Sequence, residues 1–491
     1  MDHKTPTAVV TRFAPSPTGL MHIGSARTAL YAYLFARKHN GKFILRIEDT
    51  DKNREVEGAI KHIQESLRWL GIYWDYGPDT NNPFGSCIQS ERLDSYKKFA
   101  QQLVDKGLAY PDPFTEEEVT VFRNQAEAEK RPFLFRDHRP EIFEPWDGSK
   151  PLRFKVPVIK RYEWYDAVRG KLTAGEEMLD DFILIKADGF PTYNFAHIID
   201  DFEMGVTHVM RGEEFISSTP RFLSLYDALE IPYPVFATLP PIMGPDGKKK
   251  LSKRDGAKDL MDYAKDGYLP EAMRNFLALI GWNPGGNDEI FPSNESDQTL
   301  IEKFSLEKIQ RSGGAFNEEK LRWMNKEYLA KQSTAFQYTY LKEALPEQIF
   351  SLPQYSDDRL ERLVPVVFER IHNKVDIRSA AAAGEYDFAF STNPYETSLL
   401  RWKNDVDVTA ALTRLTHVAT LLEQADFSTP ATIKEALWSY AEETGKGEVL
   451  WPLRVALSAT ERSPDPFLIA HILGRAETLS RIRTACDKIS G

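Results

Sequence analysis

Apolar residues fall into two rhythms along the early chain. Short unbroken runs read as buried strands, and repeats of three and four read as helix faces. Ala8, Val9, Val10 and Thr11 make a first apolar, β-branched run. Pro15, Pro17 and Gly19 break it and force a loop. From Ser25 to about Arg37 the spacing is helical, with Ala29, Ala32, Tyr33 and Ala36 in register. Asn40 and Gly41 close that helix, and 42–47 reads as a second strand ending in Glu48, Asp49 and Asp51. The pattern predicts one βαβ unit with polar residues at its strand ends, where open parallel sheets bind ligands.

Further along, 56–70 is predicted helical, with Ile60, Ile63, Leu67 and Leu70 on one face. A strand is expected over 71–74, a loop around 77–83, and a helix from Gln89 to about Lys106. Between 111 and 186 the character changes to frequent prolines and scattered aromatics, with short strands near 152–158 and 162–168. Apolar strands follow at 181–186, 205–210 and 234–239, with a helix starting near Ala196 between the first two. Arg211, Gly212, Glu213 and Glu214 gather charge at the end of the second of these. A helix is read over 267–282 and a loop over 283–287. From about residue 330 no strand signal remains. Amphipathic helices are read at 360–371, 408–422, 432–443 and 466–489. The fold class is therefore α/β with an α+β insertion, followed by an all-α C-terminal half.

The 491 residues leave room for three or more domains. No run reaches the roughly eighteen apolar residues of a membrane span, and the N-terminus carries no apolar signal region. Cys87 and Cys486 are too few for a disulfide framework or a cysteine zinc site. A cytoplasmic protein is expected. The net charge of −11 speaks weakly against nucleic acid, but local basic patches decide that question.

Two stretches carry candidate chemistry. The first is His22-Ile23-Gly24-Ser25 at the helix start. It is neither a Walker loop nor a dinucleotide glycine motif. A glycine there would let a flat base approach the backbone, and free N–H groups with a His donor would suit an anion. The second, 243–258, has six cations between Lys248 and Lys258, spaced by Gly244, Gly247 and Gly256. Such a run is ordinarily a solvated face. A cationic glycine-bearing loop also suits stabilising triphosphate charge while a reaction occurs.

Together these stretches resemble the class I aminoacyl-tRNA synthetases. His22-Ile23-Gly24-Ser25 stands at the His-Ile-Gly-His signature, and Lys250-Leu251-Ser252-Lys253-Arg254 at Lys-Met-Ser-Lys-Ser; both depart at the last residue. RFAPSPTG from Arg12, RIEDTD from Arg46, PTYNFA from Pro191 and RGEE from Arg211 are similar to the glutamyl-tRNA synthetase branch, of bacterial type. The resemblance implies a Rossmann-like catalytic domain in two parts, 1–110 and 187–250. An acceptor-binding insertion would occupy 111–186, a lysine-loop and stem-contact region 251–330, and helical anticodon-binding domains 331–491. It implies ATP-dependent formation of glutamyl-adenylate and transfer of glutamate to the terminal adenosine of tRNA(Glu). Mg²⁺ would come with ATP, with no protein ligand assigned. Some members carry zinc on cysteines of the insertion. This chain has Tyr110-Pro111-Asp112-Pro113-Phe114 there, so no zinc is expected.

Carried over position by position, Arg12, Ala14, Ser16, Glu48, Tyr193, His197 and Arg211 would line the glutamate pocket, with Glu48 on the ammonium group. His22, Gly24, Glu214 and the backbone near Met243 would hold ATP. Lys250 and Lys253 would meet its phosphates, and with His22 form the catalytic set. Arg123, Lys130, Arg131, Arg136, Arg139, Lys150, Arg153 and Lys155 are candidate phosphate contacts of the insertion. A monomer is expected, with tRNA(Glu) as partner and tRNA(Gln) left open as a second acceptor. Three rivals stand beside this. The long helical half speaks against an enzyme that glutamylates a tRNA base. Ser16, where glutaminyl enzymes usually have an acidic residue, speaks against those, as does the absence of β-barrel signal. Intact His22, Lys250 and Lys253 speak against an inactive RNA-binding scaffold.

Overall fold

The computed structural model describes residues 8–251, 258–291 and 296–491. It divides into two compact units. The first comprises the chain up to Lys265 and Leu269–Leu321; the second comprises Asp266–Tyr268 and Arg322–Gly491.

The first unit begins with β1 (Val10–Phe13), α1 (Ile23–Lys38) and β2 (Lys42–Leu45), the βαβ unit expected from the apolar pattern. Helices α2 (Ala59–Trp69) and α3 (Leu93–Asp105) follow. Next come β3 (Ala109–Pro111), α4 (Glu116–Ala128), β4 (Leu152–Phe154), β5 (Tyr162–Asp166), β6 (Gly170–Ala174) and β7 (Phe182–Ile185). The chain then runs through α5 (Tyr193–Glu203), β8 (His208–Gly212), α6 (Thr219–Leu229), β9 (Val235–Leu239) and β10 (Ile242–Met243). β11 (Gly314–Ala315) pairs with β10.

The main sheet has the order β2-β1-β8-β9-β5-β6. Its first five strands are parallel, and β6 pairs antiparallel to β5. The crossover from β1 leads outward to β2, whereas β8 and β9 lie on the other side of β1. The order thus reverses between β1 and β8, and open sheets of this kind bind ligands at such a point, beyond the carboxyl ends of the strands. A second sheet, β3-β4-β7, is antiparallel. Its Phe154 and Leu184 share one buried cluster with Phe195 of α5, Val209 of β8 and Phe222 of α6. Residues 111–186 therefore supply two strands to the main sheet and share its core.

The strand expected at 71–74 does not form. Gly71 takes a left-handed φ of 70° and closes α2. Pairing to β2 begins later, where the Asp75 N–H donates to the Phe43 carbonyl and the Leu45 N–H to the Tyr76 carbonyl. After the loop around Gly77 to Gly85 it resumes with the Ile47 N–H donating to the Cys87 carbonyl. The edge beyond β2 is thus satisfied by isolated bridges.

No strand follows Ala315 among the described residues, and the second unit is helical, as expected. Its longest helix, Pro466–Ser490, is bent at Gly474, whose φ is 76°. Leu363, Leu415, Leu437 and Leu453 are fully buried beside it, as are Ile469 and Ile482 of the helix itself. The buried Arg481 ties the unit together, donating to the carbonyls of Phe388, Leu457 and Ser391. No described helix is long and apolar enough to cross a membrane.

Candidate functional site

A cavity of about 670 Å³ opens at the reversal point. Its walls come from the carboxyl end of β1, the loop into α1, Glu48 after β2, the start of α5, the end of β8 and the segment after β9. Of the residues expected at the site, Arg12, Ala14, Ser16, His22, Gly24, Glu48, Tyr193, Arg211, Glu214 and Lys250 all line it. His197 and Met243 do not, and Lys253, with Ser252 and Arg254, lies outside the described residues.

The deep end is charged and buried. Arg12, Glu48 and Arg211 are each about nineteen-twentieths buried, at 5%, 6% and 6% exposure. Arg211 has three phenylalanine rings around it, Phe215, Phe222 and Phe236, with centroids at 5.3, 4.9 and 5.1 Å. One Nη donates to Thr219 Oγ1 at 3.1 Å, while the other Nη is buried with no partner. A buried, unpaired donor on a cation costs more than almost any other polar defect. Burial lowers the Arg211 pKa from its usual value, and an anion in the cavity would remove that cost.

Glu48 is the counterpart of opposite sign. Burial pushes its carboxyl up to about 7, against the pull of Arg46 and Arg12. The side chain accepts from Arg46 Nη2 at 3.0 Å. Tyr193 lies over the pocket with its ring stacked on His197, centroids 4.6 Å apart and planes 12° apart. His197 is thus one layer below the cavity. Its Nδ1 is 2.6 Å from the Tyr193 carbonyl oxygen, and burial lowers its pKa to about 3, so the ring is neutral and donates there. It supports Tyr193 from behind instead of facing the cavity.

The outer end is built on the start of α1. The expected free N–H groups are not free: His22 Nδ1 accepts from the N–H groups of Gly24 at 3.1 Å and Ser25 at 3.4 Å. That lone pair places the ring proton on Nε2, which is 3.1 Å from Ser25 Oγ. Gly24 has a matching reason to be glycine. A Cβ there would stand 3.0 Å from His22 Cε1, so the close approach is made by the histidine ring. Glu214 is exposed at the rim, its carboxylate folded over Gly212. Met243 is held by β10: its carbonyl accepts from Phe316 N–H, and it bridges to Lys250. The Leu251 N–H donates to the Ile242 carbonyl. The cationic stretch thus enters as a short hairpin that brings Lys250 to the cavity wall.

The sequence did not single out the charges beneath the floor. Asp201 accepts from Arg12 Nε at 3.2 Å and Arg46 Nη1 at 2.7 Å. Asp200 accepts from Arg92 Nε at 2.7 Å, Gln89 Nε2 at 2.8 Å and the Tyr96 hydroxyl. A signal was available: Tyr193, His197 and Asp201 stand four residues apart and share one face of α5. Most candidate phosphate contacts of the insertion are engaged locally. Arg153 is buried, paired with Asp112 and packed over Phe135. Arg139 pairs with Asp181 at 2.6 Å, Arg131 with Glu129 and Lys150 with Glu144.

Comparison with known proteins agrees with this geometry. Residues 8–323 match the catalytic domain of the class I tRNA synthetases (E and Q), and residues 323–486 match an anticodon binding domain. The chain is 40% identical to a glutamate–tRNA ligase of Clostridium botulinum, covering 98% of each. It is 39% identical to that of Chloroherpeton thalassium, again covering 98% of each. Among solved structures, the glutamate tRNA ligase of Elizabethkingia meningosepticum in complex with its amino acid superposes with a TM-score of 0.85 at 35% identity, covering 98% of this chain and 99% of that one. The glutamate-tRNA synthetase of Elizabethkingia anophelis gives 0.83 at 35% identity, covering 98% and 100%. With its Rossmann-like sheet, its cavity at the strand reversal and its helical anticodon-binding half, the chain belongs to the glutamate–tRNA ligases of the class I tRNA synthetase family.

Proposed function

We propose that the deep end of the cavity binds L-glutamate between Arg12, Glu48, Tyr193 and Arg211, and that the outer end binds ATP beside His22, Gly24, Glu214 and Lys250. Ala14 and Ser16 complete the glutamate side, and Lys253 acts with Lys250 on the phosphates. The observation that carries this is the buried, unpartnered Nη of Arg211 in the cavity wall. A guanidinium meets a carboxylate through two parallel hydrogen bonds. A glutamine amide would offer one acceptor and turn its NH₂ toward the cation.

The chemistry is positioning and charge stabilisation. The α-carboxylate of glutamate attacks the α-phosphorus of ATP, the bond to the bridging oxygen breaks, and pyrophosphate leaves. The 2′-hydroxyl of the terminal adenosine then attacks the acyl carbon of the adenylate, loses its proton, and AMP leaves. The first nucleophile is already an anion, so no general base is required. Cations at the phosphates stabilise the charge that develops there. Mg²⁺ enters with ATP on its phosphate oxygens. Among the described residues no group of three or more His, Cys, Asp or Glu is set to hold a metal, so no protein ligand is assigned. We also propose that the insertion needs no zinc. Asp181 supports this: it accepts from Arg139, the Tyr110 hydroxyl and the Val156 N–H, and so organises the insertion with carboxylate bonds.

The match of residues 323–486 to an anticodon binding domain favours aminoacylation of whole tRNA over modification of a tRNA base. tRNA(Glu) is the proposed acceptor, with tRNA(Gln) tested beside it. A monomer is the proposed working unit, and the cytoplasm, where translation proceeds, its proposed location. Calorimetric titration with glutamate tests the pocket. Arg211→Gln is expected to lose affinity by about a hundredfold or more, since a charged partner is left unmatched, with ATP affinity within a few-fold of the parent. An unchanged glutamate affinity would overturn the assignment.

A further inference from the structure

The two ends of the proposed glutamate pocket are tied together beneath its floor. Asp201, on α5, is 2% exposed. Its Oδ1 accepts from Arg12 Nε at 3.2 Å and from Arg46 Nη1 at 2.7 Å. Arg46, fully buried, donates onward from Nη2 to Glu48 Oε1 at 3.0 Å. A second donation, from Arg12 Nη1 to the Met210 carbonyl at 3.2 Å, fixes the roll of that guanidinium about its own axis. The chain Arg12–Asp201–Arg46–Glu48 thus joins a cation and an anion that both line the cavity, through two residues that do not line it. It also crosses three separate elements: β1, α5 and the end of β2.

Such a chain is costly to bury, because its charges lose the solvation of water and depend on one another for compensation. Arg46 carries its charge among three carboxylates, those of Glu48, Asp200 and Asp201. Asp200 is itself saturated by Arg92, Gln89 and Tyr96. Asp201 is the one carboxylate that touches both arginines at hydrogen-bond distance. Removing it would leave two buried guanidinium groups facing each other and free the orientation of Arg12.

We propose that Asp201 is a positioning residue for glutamate: it holds Arg12 directly and Glu48 through Arg46, so that the carboxylate-binding and ammonium-binding ends of the pocket are set at a constant separation. The inference rests on the proposed pocket with Glu48 on the ammonium group and Arg12, beside Arg211, on the side-chain carboxylate of glutamate. It adds a determinant of how amino-acid length is measured. A substrate shorter by one methylene, such as aspartate, cannot satisfy both fixed ends, and loosening Asp201 relaxes that requirement.

The test is steady-state activation by ATP–pyrophosphate exchange, with tRNA present, on Asp201→Asn, Asp201→Glu, Arg12→Gln and Glu48→Gln. Asp201→Asn is expected to raise KM for glutamate about tenfold or more, with kcat changed less than about threefold, because a charged hydrogen bond that orients a binding group is lost. ATP KM should stay near the parent value. The ratio of kcat/KM for glutamate over aspartate should fall about tenfold, and Asp201→Glu should recover part of it. The pH midpoint of glutamate KM should also move below the parent value. The charged and titratable groups facing Glu48 are Arg12 from β1, Arg46 just after β2, and Asp201 and Tyr193 from α5; burial raises Glu48 most, and Asp201 is the one charge among these that adds to it, so neutralising Asp201 lowers the midpoint. A general loss of packing would move kcat and ATP KM along with glutamate KM. If Asp201→Asn does not fold, the charge-balanced pair Asp201→Asn with Arg46→Gln takes its place, with the same expected rise in glutamate KM. Parent-like glutamate KM in the folded variant, while Arg12→Gln and Glu48→Gln are impaired, would overturn the positioning role alone. Parent-like KM in Arg12→Gln and Glu48→Gln would overturn the pocket assignment on which it rests.

Discussion

Glu48 has the clearest pH signature of any residue at the site. Burial raises its pKa to about 7, more than Arg46 and Arg12 pull it down. An ammonium group in the cavity would stabilise the ionised form, so binding is linked to loss of that proton. Glutamate affinity is therefore expected to be constant above about pH 8. It should weaken toward a tenfold loss per unit below about pH 6, where the free pocket holds Glu48 protonated. Titrations across pH 5.5–8.5, a window set around the raised value, check this, and a flat profile contradicts it. For folding, the same shift contributes stability that is full below the unfolded carboxylate pKa and lost as pH rises toward about 7. Asp201 behaves oppositely. Burial acts to raise it, but Arg12 and Arg46 overcome that and hold it at about 2, so its contribution persists above the unfolded value and is lost only near pH 2. At the outer end, Lys250→Ala is expected to slow adenylate formation by about a hundredfold, the worth of one donor aimed at developing charge, while leaving glutamate affinity nearly unchanged. Pre-steady-state kinetics resolve the two, and a parent-like activation rate would remove Lys250 from the phosphate set.

At the scale of elements, the strongest periodicities were the most legible. β1, α1, β2, β8 and β9 were all visible as apolar runs or faces, because they are buried on both sides or carry a full stripe. α4 was not, and the reason is physical: among its residues only Ala126 is buried, so no stripe exists to read. What defines that helix is a capping box, Thr115 with Glu118, which holds its start. The helix Lys446–Ser458 was missed because Pro452 lies inside it and Gly445 before it. Lys374–Ala382 was missed because Ile377 is its one buried side chain. The strand expected at 71–74 was misread from apolar residues that instead follow a left-handed glycine. Within the site, lining residues on motifs were legible, and Asp201 was signalled only by its helical spacing from Tyr193 and His197, while the link from Asp201 through Arg46 to Glu48 depends on α5 packing under β1 and β2. Gly41 was read as a helix stop, and the structure gives it a further duty. A Cβ there would stand 2.1 Å from the Val9 carbonyl oxygen, where β1 and β2 begin to pair. Gly41→Ala must push that backbone aside, at an expected cost of about 1–3 kcal/mol, seen as a lower melting temperature and lower denaturant midpoint. Parent-like stability would show that the strand start yields freely.

The whole molecule divides labour between a unit that carries the cavity and a helical unit that matches an anticodon binding domain. The net charge of −11 gives no hint of an RNA partner, because affinity for phosphate depends on local cations and not on the sum. tRNA affinity of the full chain is expected to fall steeply between about 50 and 200 mM salt. A chain ending near Lys331 should keep ATP binding and bind tRNA at least about tenfold more weakly, since each lost phosphate contact lowers both affinity and salt slope. Filter binding across a salt series distinguishes this from a truncated chain that binds as the parent does. The central claim is that the buried, unpartnered Nη of Arg211 makes this a pocket for a carboxylate and not for an amide. ATP–pyrophosphate exchange with tRNA present, run on glutamate and glutamine side by side, tests it most directly. The expected result is kcat/KM for glutamate above that for glutamine by about 10⁴-fold or more, the margin of a site whose buried polar groups are mispaired by the wrong ligand, with most of that margin gone in Arg211→Gln. Comparable values for the two amino acids in the parent enzyme, or an undiminished margin in Arg211→Gln, would contradict it.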